Sequence, residues 1–217
     1  MCGRVTLTMP EVQEVARLLE ARISPADALL YRPRWNAAPT DRHWVVEASP
    51  QGRVLLPAVW GFMNGAINAR SETAARLFRK PFAQRRVVVP ADGFYEWTGP
   101  KNARRPVWFR PRDGGLLFLA GLAEERPPPA TGEEPLPGSR LGFVVLTTEA
   151  AGEVARVHDR MPVVLSRESA QAWLERPDTG LLLPSDRLTG KEVSPRVNDV
   201  RNDDPALLDP APQLSLL

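Results

Sequence analysis

Proline is the feature of this sequence that most restricts how the chain can fold. It accounts for 23 of the 217 residues, roughly twice the share in an average protein. Proline has no backbone N–H and its ring clashes with the preceding turn of a helix, so prolines at this density exclude long uninterrupted helices. The sequence therefore predicts many short strands separated by turns, with few and short helices.

Hydrophobic periodicity places the individual elements. Thr8 and Glu11 have the spacing of a capping box, and the apolar residues that follow recur at helical intervals. Turn residues at 49–52 predict a hairpin, and those at 112–115 predict a turn between two strands. The predicted helices are residues 9–22, 71–79, 149–156 and 166–175. The predicted strands are residues 43–48, 53–60, 86–89, 93–97, 106–110, 116–122 and 141–148.

These elements indicate an α+β fold: a single compact domain, residues 1–217, around a mainly antiparallel, barrel-like sheet with short flanking helices. Residues 124–140 read as a polar loop rich in proline and glycine rather than a strand. Residues 199–217 are rich in Asp, Asn and Pro and predict an irregular tail that drapes over the domain or frays.

Composition excludes several functional classes. One cysteine cannot form an internal disulfide, and one cysteine with two histidines is too few for a zinc site built from those ligands. We therefore predict no metal and no cofactor. No apolar run approaches the roughly 20 residues of a membrane helix, and the first ten residues lack a signal-peptide core. With 3 Lys against 25 Arg, we expect a cytoplasmic, nucleoid-associated bacterial protein.

Charge is distributed unevenly along the chain. Residues 1–112 carry 18 Lys and Arg against 9 Asp and Glu, a balance of +9, whereas residues 113–217 carry 10 against 17, a balance of −7. A basic, arginine-rich half suits an anionic partner such as nucleic acid, because guanidinium groups bind phosphate through paired donors. Charge alone leaves open the alternative that the arginines only decorate a surface.

Cys2 becomes the first residue if methionine aminopeptidase removes Met1, as it does when the second residue is small. The chain would then start with an α-amine and a thiol on one residue, whose reference pKa values lie near ~8 and ~8.5. Both groups are usable nucleophiles near neutral pH. With an amide, the thiolate attacks and the amine acts as base; with an aldehyde, the amine forms a Schiff base and the thiol closes a five-membered thiazolidine.

Several further segments follow this start in a characteristic order. They are residues 34–40 (RWNAAPT), 58–61 (AVWG), 68–73 (NARSET), 86–97 (RVVVPADGFYEW), 146–150 (LTTEA), 158–162 (HDRMP) and 193–198 (VSPRVN). Together with Cys2 they resemble the SRAP family, the SOS-response-associated proteins that shield abasic sites, over residues 2 to about 198. The departure we find is Trp35, where the family commonly has tyrosine.

The resemblance implies a covalent reaction with damaged DNA. Family members bind single-stranded DNA and crosslink to an abasic site, whose ring-opened sugar presents an aldehyde at C1′. Cys2 matches the family nucleophile, and Asn68 matches the amide that holds the reacting terminus. Glu96 matches the general acid/base, and His158 matches the histidine that exchanges protons with the sugar or thiol and influences reversal. Strand cleavage by β-elimination and autoproteolytic exposure of Cys2 are implied side activities.

The resemblance also implies a DNA-binding surface. Arg4, Arg70 and Arg160 match arginines that contact the phosphates beside the abasic sugar. Other positions match residues that shape the DNA groove; these are Asn36, Pro39, Trp60 and Gly61. For Trp60, packing in the core is an equally good interpretation. His43 has no motif around it, and we expect a solvated residue at the end of a strand.

Two other functions remain open from the sequence. A mature start at Cys-Gly is also typical of N-terminal-nucleophile amidohydrolases such as glutamine amidotransferases, although no glutamine-binding segment is recognisable. The basic half could alternatively serve a DNA-binding module without chemistry. From the resemblance to the SRAP family we expect a monomer that does not bind a membrane. Its expected partner is single-stranded DNA with abasic sites, including sites at junctions with duplex.

Overall fold

The computed structural model describes residues 2–100, 102–127 and 140–211, and all statements on structure refer to these ranges. They contain five α-helices, and 3₁₀ turns at Val154–Arg156, Thr179–Leu181, Pro195–Asn198 and Pro205–Leu208. The helices are α1 (Val12–Leu18), α2 (Pro25–Ala28), α3 (Ser71–Leu77), α4 (Arg79–Gln84) and α5 (Arg167–Glu175). None of the described helices has the length and apolar character needed to cross a membrane.

The same ranges contain fourteen strands, most of them short as the proline content predicts. They are β1 (Val5–Leu7), β2 (Ala21–Arg22), β3 (Arg34–Ala37), β4 (Arg42–Ser49), β5 (Gly52–Trp60), β6 (Asn68–Arg70), β7 (Arg86–Ala91), β8 (Gly93–Thr98), β9 (Arg105–Pro111), β10 (Leu117–Glu125), β11 (Leu141–Glu149), β12 (Arg160–Pro162), β13 (Val164–Leu165) and β14 (Leu188–Glu192).

The larger sheet closes on itself. Its path runs β11-β10-β7-β4-β5, and β5 pairs in parallel with β11, which completes a ring of five strands. β6 pairs in parallel with β11, and β12 pairs antiparallel with it. The expected α+β fold with a mainly antiparallel, barrel-like sheet is therefore confirmed, and closure leaves the ring without free edges.

The smaller sheet carries the start of the chain. Its strand order is β14-β9-β8-β1-β3, and β1 pairs antiparallel with β8, Val5 opposite Phe94. Gly93 begins β8 where Trp108 of β9 crosses closely: a β-carbon on Gly93 would lie 2.1 Å from the indole nitrogen. A glycine is needed at this position because that space is already occupied.

The core follows the two-residue period of the strands. In β7, Val88 packs into one apolar cluster, which includes α1 and α5, whereas Val87 and Val89 pack into a second. The second cluster also contains Cys2 and Phe94, so the ring and the smaller sheet share one interior. Successive side chains of a strand point to opposite faces, and that alternation separates the two clusters.

Most predicted elements are confirmed within a few residues. The hairpin of β4 and β5 turns at Ser49 and Gly52 as expected, and the predicted strands at 86–89, 93–97, 106–110, 116–122 and 141–148 are all present. The helix expected at 166–175 is α5, whose first turn is capped by the Ser166 hydroxyl. Of the predicted loop 124–140, residues 124–125 belong to β10, and residues 128–139 lie outside the described ranges.

Several expectations about helices were wrong in extent. The predicted capping box does not form, because Thr8 Oγ1 donates to Asp92 and α1 begins only at Val12. α1 also ends at Leu18, since residues 21–22 pair with β5. Of the helix predicted at 149–156, only a 3₁₀ turn at Val154–Arg156 forms, because β11 continues to Glu149.

The predicted tail packs onto the domain, and His43 differs from expectation. In residues 199–211, Leu207 is buried, and the Asp203 carboxylate accepts hydrogen bonds from the backbone N–H groups of Trp35 and Asn36. Residues 212–217 lie outside the described ranges. His43 is 1% exposed rather than solvated, with Nε2 2.7 Å from the Pro90 carbonyl. The His43 side chain, at the start of β4, faces the interior because β7 pairs alongside β4.

Candidate active site around Cys2

The two sheets bring four segments to one place. Cys2 precedes β1, which pairs with β8 and so lies beside the strand that carries Glu96; the Tyr95 N–H donates to the Arg4 carbonyl at 3.0 Å. On the larger sheet, β6 carries Asn68 and lies parallel to β11. β12 returns along the other side of β11 and begins two residues after His158. The topology therefore gathers residues from positions 2, 68, 96 and 158.

Asn68 holds the start of the chain. Its Nδ2 donates to the Cys2 carbonyl at 2.6 Å, a bond between residues 66 positions apart. Asn68 Oδ1 is buried and has no hydrogen-bond partner within the described residues. A buried acceptor without a partner is unfavourable. The side-chain amide of Asn68 is thus held on Cys2, and its oxygen can still accept a hydrogen bond from a donor in the site.

The Cys2 side chain is fully buried among apolar residues. Burial raises the pKa of its thiol well above the usual range, and the nearby charge of Glu96 raises it further. In this state the thiol is neutral at physiological pH, so it needs a proton acceptor before it can act as a nucleophile.

Glu96 is a candidate for this acceptor, because its charge acts on the Cys2 thiol. The side chain is 2% exposed, and burial raises its pKa to about 7. A carboxyl group with that pKa is present in both protonation states near neutrality, which is the property required of a general acid/base. The influence of its charge on the Cys2 pKa places the two groups close together.

His158 lies on the loop before β12 and is half-buried. Burial, the largest effect, lowers its pKa. Its Nδ1 lies 2.9 Å from the Arg160 backbone N–H and 2.8 Å from Asp159 Oδ1. The two contacts make opposite demands on Nδ1, because the Arg160 N–H donates a hydrogen bond to it whereas the Asp159 carboxylate can only accept one from it. Asp159 influences the pKa of both His158 and Glu96, which places these two groups in the same neighbourhood.

Arg160 is held tightly beside these residues. Its NH1 and NH2 contact the two carboxylate oxygens of Glu72 at 2.5 and 2.9 Å, and NH2 also donates to the Thr147 carbonyl. The hydrogen bonds from Arg160 lower the pKa of Glu72 to about 2. Among the described residues, Arg160 Nε and Thr147 Oγ1 are buried and without hydrogen-bond partners.

The other two predicted arginines differ from each other. Arg70 ends β6 and is exposed. Arg4 is half-buried: its NH1 donates to Asn36 Oδ1 at 2.7 Å and to the Val197 carbonyl at 2.8 Å. Burial lowers the Arg4 pKa. Its guanidinium carbon lies 5.6 Å from the centre of the Trp97 ring, which is cation–π range.

The predicted groove residues are mostly internal. Asn36 is fully buried, and its Nδ2 donates to the carbonyls at 197, 199 and 202. Trp60 is 1% exposed, stacks on Phe143 and donates to the Ile67 carbonyl. Gly61 is buried as well, whereas Pro39 is half-buried. The side chains of Asn36 and Trp60 are therefore almost fully enclosed by protein, and their part in shaping a DNA groove stays a prediction.

Three residues at the site were not singled out in the sequence. Thr147 and Glu72 lie inside quoted motifs, at LTTEA and NARSET, so the motif signal contained them but gave them no role. Arg104 belongs to no motif, yet its charge lowers the pKa of both Glu96 and His158. Its proximity follows from the pairing of β8 with β9, which short-range patterns do not reveal. No group of three His, Cys, Asp or Glu in the described ranges could hold a metal ion.

One family model and several known proteins are similar in sequence to this chain. The model of the SOS response associated peptidase (SRAP) family matches residues 1–200. The abasic site processing protein YedK of Escherichia coli is 29% identical over 97% of this chain and 100% of its own length. The corresponding figures for the abasic site processing protein YobE of Bacillus subtilis are 30%, 91% and 96%. Abasic site processing protein HMCES of Gallus gallus is 29% identical, over 83% of this chain and 67% of its own.

Solved structures share the fold. A protein from Bacteroides thetaiotaomicron superimposes with a TM-score of 0.79, covering 97% of this chain and 100% of its own, at 19% identity, which speaks for the fold alone. A phage-related protein from Bordetella bronchiseptica gives a TM-score of 0.67 at 29% identity, covering 88% and 94% of the two chains.

Proposed function

The chain belongs to the SRAP family, and we propose that it acts on abasic sites in single-stranded DNA by forming a covalent crosslink through Cys2. The crosslink shields the lesion during replication-coupled repair. The relatives named as abasic site processing proteins support the choice of lesion. The chemistry of an N-terminal aminothiol supports the choice of an aldehyde as the reacting group.

The observation that carries this proposal is the convergence of Asn68, Glu96 and His158 on Cys2. An amide on the Cys2 carbonyl, a buried carboxyl group with a pKa of about 7 and a half-buried histidine are more than a structural cysteine requires. Perturbed titratable groups that surround a nucleophile are typical of catalytic sites.

The reaction begins at the amine. After removal of Met1, the Cys2 nitrogen adds to C1′ of the ring-opened sugar, and the carbinolamine loses water to give a protonated imine that keeps the N–H. Glu96, protonated below a pH of about 7, donates the proton that makes the hydroxyl leave as water. The neutral Cys2 thiol then adds to the same carbon: the C–S bond forms, the C=N π electrons become the lone pair on nitrogen, and the S–H proton passes to the Glu96 carboxylate. The product is a thiazolidine.

The raised pKa of the thiol supports this order. A thiol that is neutral at physiological pH is a weak first nucleophile, whereas an intramolecular attack on an imine gains from proximity. Glu96, deprotonated after giving its proton to the departing hydroxyl, accepts the thiol proton and returns to its acid form, while the nitrogen keeps its own N–H. His158 exchanges protons with the sugar oxygen and assists ring opening and reversal.

Two side activities follow from the same intermediate. The imine at C1′ acidifies the protons at C2′, so loss of one of them breaks the C3′–O bond and cleaves the strand. This is abasic-site lyase activity. Autoproteolysis is the other side activity, since a Cys2 that is preceded by further residues gains its free amine by peptide cleavage.

DNA is held by arginines around the site. Arg70 is exposed, and Arg160 and Arg4 lie beside the residues that carry the chemistry. Guanidinium groups that contact successive phosphates fix the register of a strand without reading its sequence. Pro39 borders this region directly, whereas Asn36, Trp60 and Gly61 support it from within. We therefore propose that the protein acts as a monomer in the bacterial nucleoid. It binds abasic sites in single-stranded DNA, including those at junctions with duplex.

The test is an adduct assay with defined protein termini. Protein lacking Met1, verified by intact mass, is incubated with a single-stranded oligonucleotide containing one abasic site, and the products are separated on a denaturing gel. We expect one Cys2-dependent adduct of the mass of protein plus DNA minus water. Cys2→Ser should give only a product that borohydride reduction traps, because the oxygen analogue does not close a stable ring.

Matched controls are an undamaged oligonucleotide and the protein with Met1 retained. An absence of any adduct with the mature wild-type protein would overturn the proposal. Release of ammonia from glutamine would then favour an N-terminal-nucleophile amidohydrolase, and DNA binding that is identical in wild type and Cys2→Ala would favour a module without chemistry.

A further inference from the structure

A cleft of about 600 Å³ opens directly beside Cys2 and has no role in the chemistry above. Gly3 and Arg4, the residues that follow Cys2, form one side of it, and Trp97 and Arg104 contribute further walls. None of the described residues that line the cleft is acidic. The cleft therefore joins an aromatic surface to two cations at the edge of the proposed reaction centre.

The walls of the cleft are fixed by hydrogen bonds. Trp97 Nε1 donates to Asn198 Oδ1 at 2.7 Å, and Asn198 Nδ2 in turn reaches the Arg104 carbonyl at 3.5 Å. On the other side, Arg4 is held by Asn36 and by the Val197 carbonyl. Binding sites built on such fixed walls lose little entropy when a ligand enters.

Arg104 is the distinctive member of this group. Its side chain is exposed at the cleft, and its positive charge influences both Glu96 and His158. The next residue, Arg105, is exposed too but is occupied elsewhere: its NH1 lies 3.1 Å from Glu192 Oε1 on β14. Of these two adjacent arginines, Arg104 lines the cleft, whereas the side chain of Arg105 lies on Glu192.

We propose that this cleft is the subsite for the nucleotide adjacent to the abasic sugar, with Arg104 as the ligand of its phosphate. The proposal rests on the proposed function, since it takes the abasic sugar to lie at Cys2. A guanidinium group suits a phosphate through charge-assisted hydrogen bonds, and an aromatic wall suits a base without selecting its identity. Arg104 and Trp97 therefore hold the strand on one flank of the lesion.

Salt dependence of binding tests the phosphate contact. Affinity for a fluorescent, undamaged single-stranded oligonucleotide is measured between 50 and 200 mM salt for wild type, Arg104→Gln, Arg104→Lys and Arg105→Gln. Each phosphate contact on a single strand contributes about 0.7 to the slope of log affinity against log salt. We expect Arg104→Gln to lose about 0.7 of slope and several-fold in affinity, Arg104→Lys to keep most of both, and Arg105→Gln to match wild type.

Truncated substrates locate the contact. The rate of adduct formation is compared on oligonucleotides whose abasic site is the first or the last nucleotide, so that one flank is missing. The defect of Arg104→Gln should vanish on one of these two substrates and persist on the other. Equal slopes for Arg104→Gln and Arg105→Gln, or a defect that persists on both truncated substrates, would overturn the subsite.

The two proposals fail separately in this design. Absence of an adduct with the wild-type protein contradicts the covalent function itself. Normal adduct formation by wild type, with no difference between the two arginine variants, contradicts only the subsite. Thermal unfolding of each variant checks that the exposed substitutions leave the fold unchanged.

Discussion

The side-chain amide of Asn68 donates a hydrogen bond of 2.6 Å to the main-chain carbonyl of Cys2. The bond links β6, a strand attached to the larger sheet, to the segment that leads into β1 of the smaller sheet. It fixes the backbone of the residue whose amine and thiol we propose to react. Because Asn68 Oδ1 lacks a hydrogen-bond partner within the described residues, the same amide can also accept a hydrogen bond from the freed amine.

Asn68→Ala should slow adduct formation about ten-fold or more. Loss of a buried hydrogen bond of this kind corresponds to about 1–3 kcal/mol, and here it would also release the reacting terminus. The rate is measured with an abasic single-stranded oligonucleotide under single-turnover conditions. Asn64→Ala is the matched control, because Asn64 is exposed and only caps the local turn at Ala66. Equal rates for both variants would contradict the positioning role.

The sequence predicted where the strands lie along the chain better than it predicted which strands pair with one another. Alternation and turn residues located the hairpin of β4 and β5, since both signals act over a few residues. The turn at 112–115 likewise joins two strands, but β9 pairs with β8 and β14, and β10 pairs with β7 and β11. Which sheet a strand enters depends on contacts far apart in the chain, and local patterns do not encode them.

The candidate site shows the same division. Motif order predicted Cys2, Asn68, Glu96 and His158 as site residues, and the structure places Asn68 on Cys2 and Glu96 within electrostatic range of it. Burial was harder to anticipate: Asn36 matched a groove position and Trp60 suited the groove and the core equally, yet each satisfies its polar atoms inside the protein. A motif records that a residue type is needed at a position, and it does not distinguish a residue that touches a ligand from one that supports the wall behind it.

Glu96 should make the protein less stable as pH rises through neutrality. Its pKa is about 7 when folded and near 4.5 when unfolded, so the folded state binds more protons between these values and stability falls as pH increases across that window. The full difference is about 3 kcal/mol. Urea unfolding of wild type and Glu96→Gln at pH 5 and pH 8.5 checks this, and we expect the variant to gain on wild type at the higher pH.

The control for this comparison is Glu168→Gln, whose carboxylate lies on the exposed first turn of α5. Both glutamine variants remove one negative charge, so a general effect of net charge would shift them equally. An unchanged difference between Glu96→Gln and wild type at the two pH values would contradict a raised pKa for Glu96.

His43 should make the protein sensitive to acid. Burial lowers its pKa to about 4, against 6.5 when unfolded, so the unfolded state binds more protons between these values. Stability is therefore intact above pH 6.5 and falls as pH decreases toward 4, by about 3 kcal/mol in total. His43→Gln retains a donor for the Pro90 carbonyl and should flatten this part of the pH profile of the unfolding free energy. A slope identical to that of wild type would contradict the assignment; His158→Gln, at a half-buried site, provides the comparison.

Glu72 occupies the two donors of Arg160 that a phosphate would use. The carboxylate faces NH1 and NH2 at 2.5 and 2.9 Å, and its side chain is 51% exposed, so it can move aside. An ion pair this exposed contributes about 1 kcal/mol or less. Glu72→Gln removes the charge that competes with phosphate, and we expect several-fold tighter binding of undamaged single-stranded DNA at 50 mM salt, measured by fluorescence anisotropy.

The competition has a specific control in helix α1. Glu14 lies 3.9 Å from Arg17 on an exposed surface, so Glu14→Gln changes the net charge equally without touching Arg160. If Glu72 competes with phosphate, only Glu72→Gln tightens binding, and the gain disappears when Arg160 is also replaced by glutamine. Weaker binding by Glu72→Gln would mean that the carboxylate orients Arg160 for DNA, because the guanidinium would then lose its position when the charge is removed.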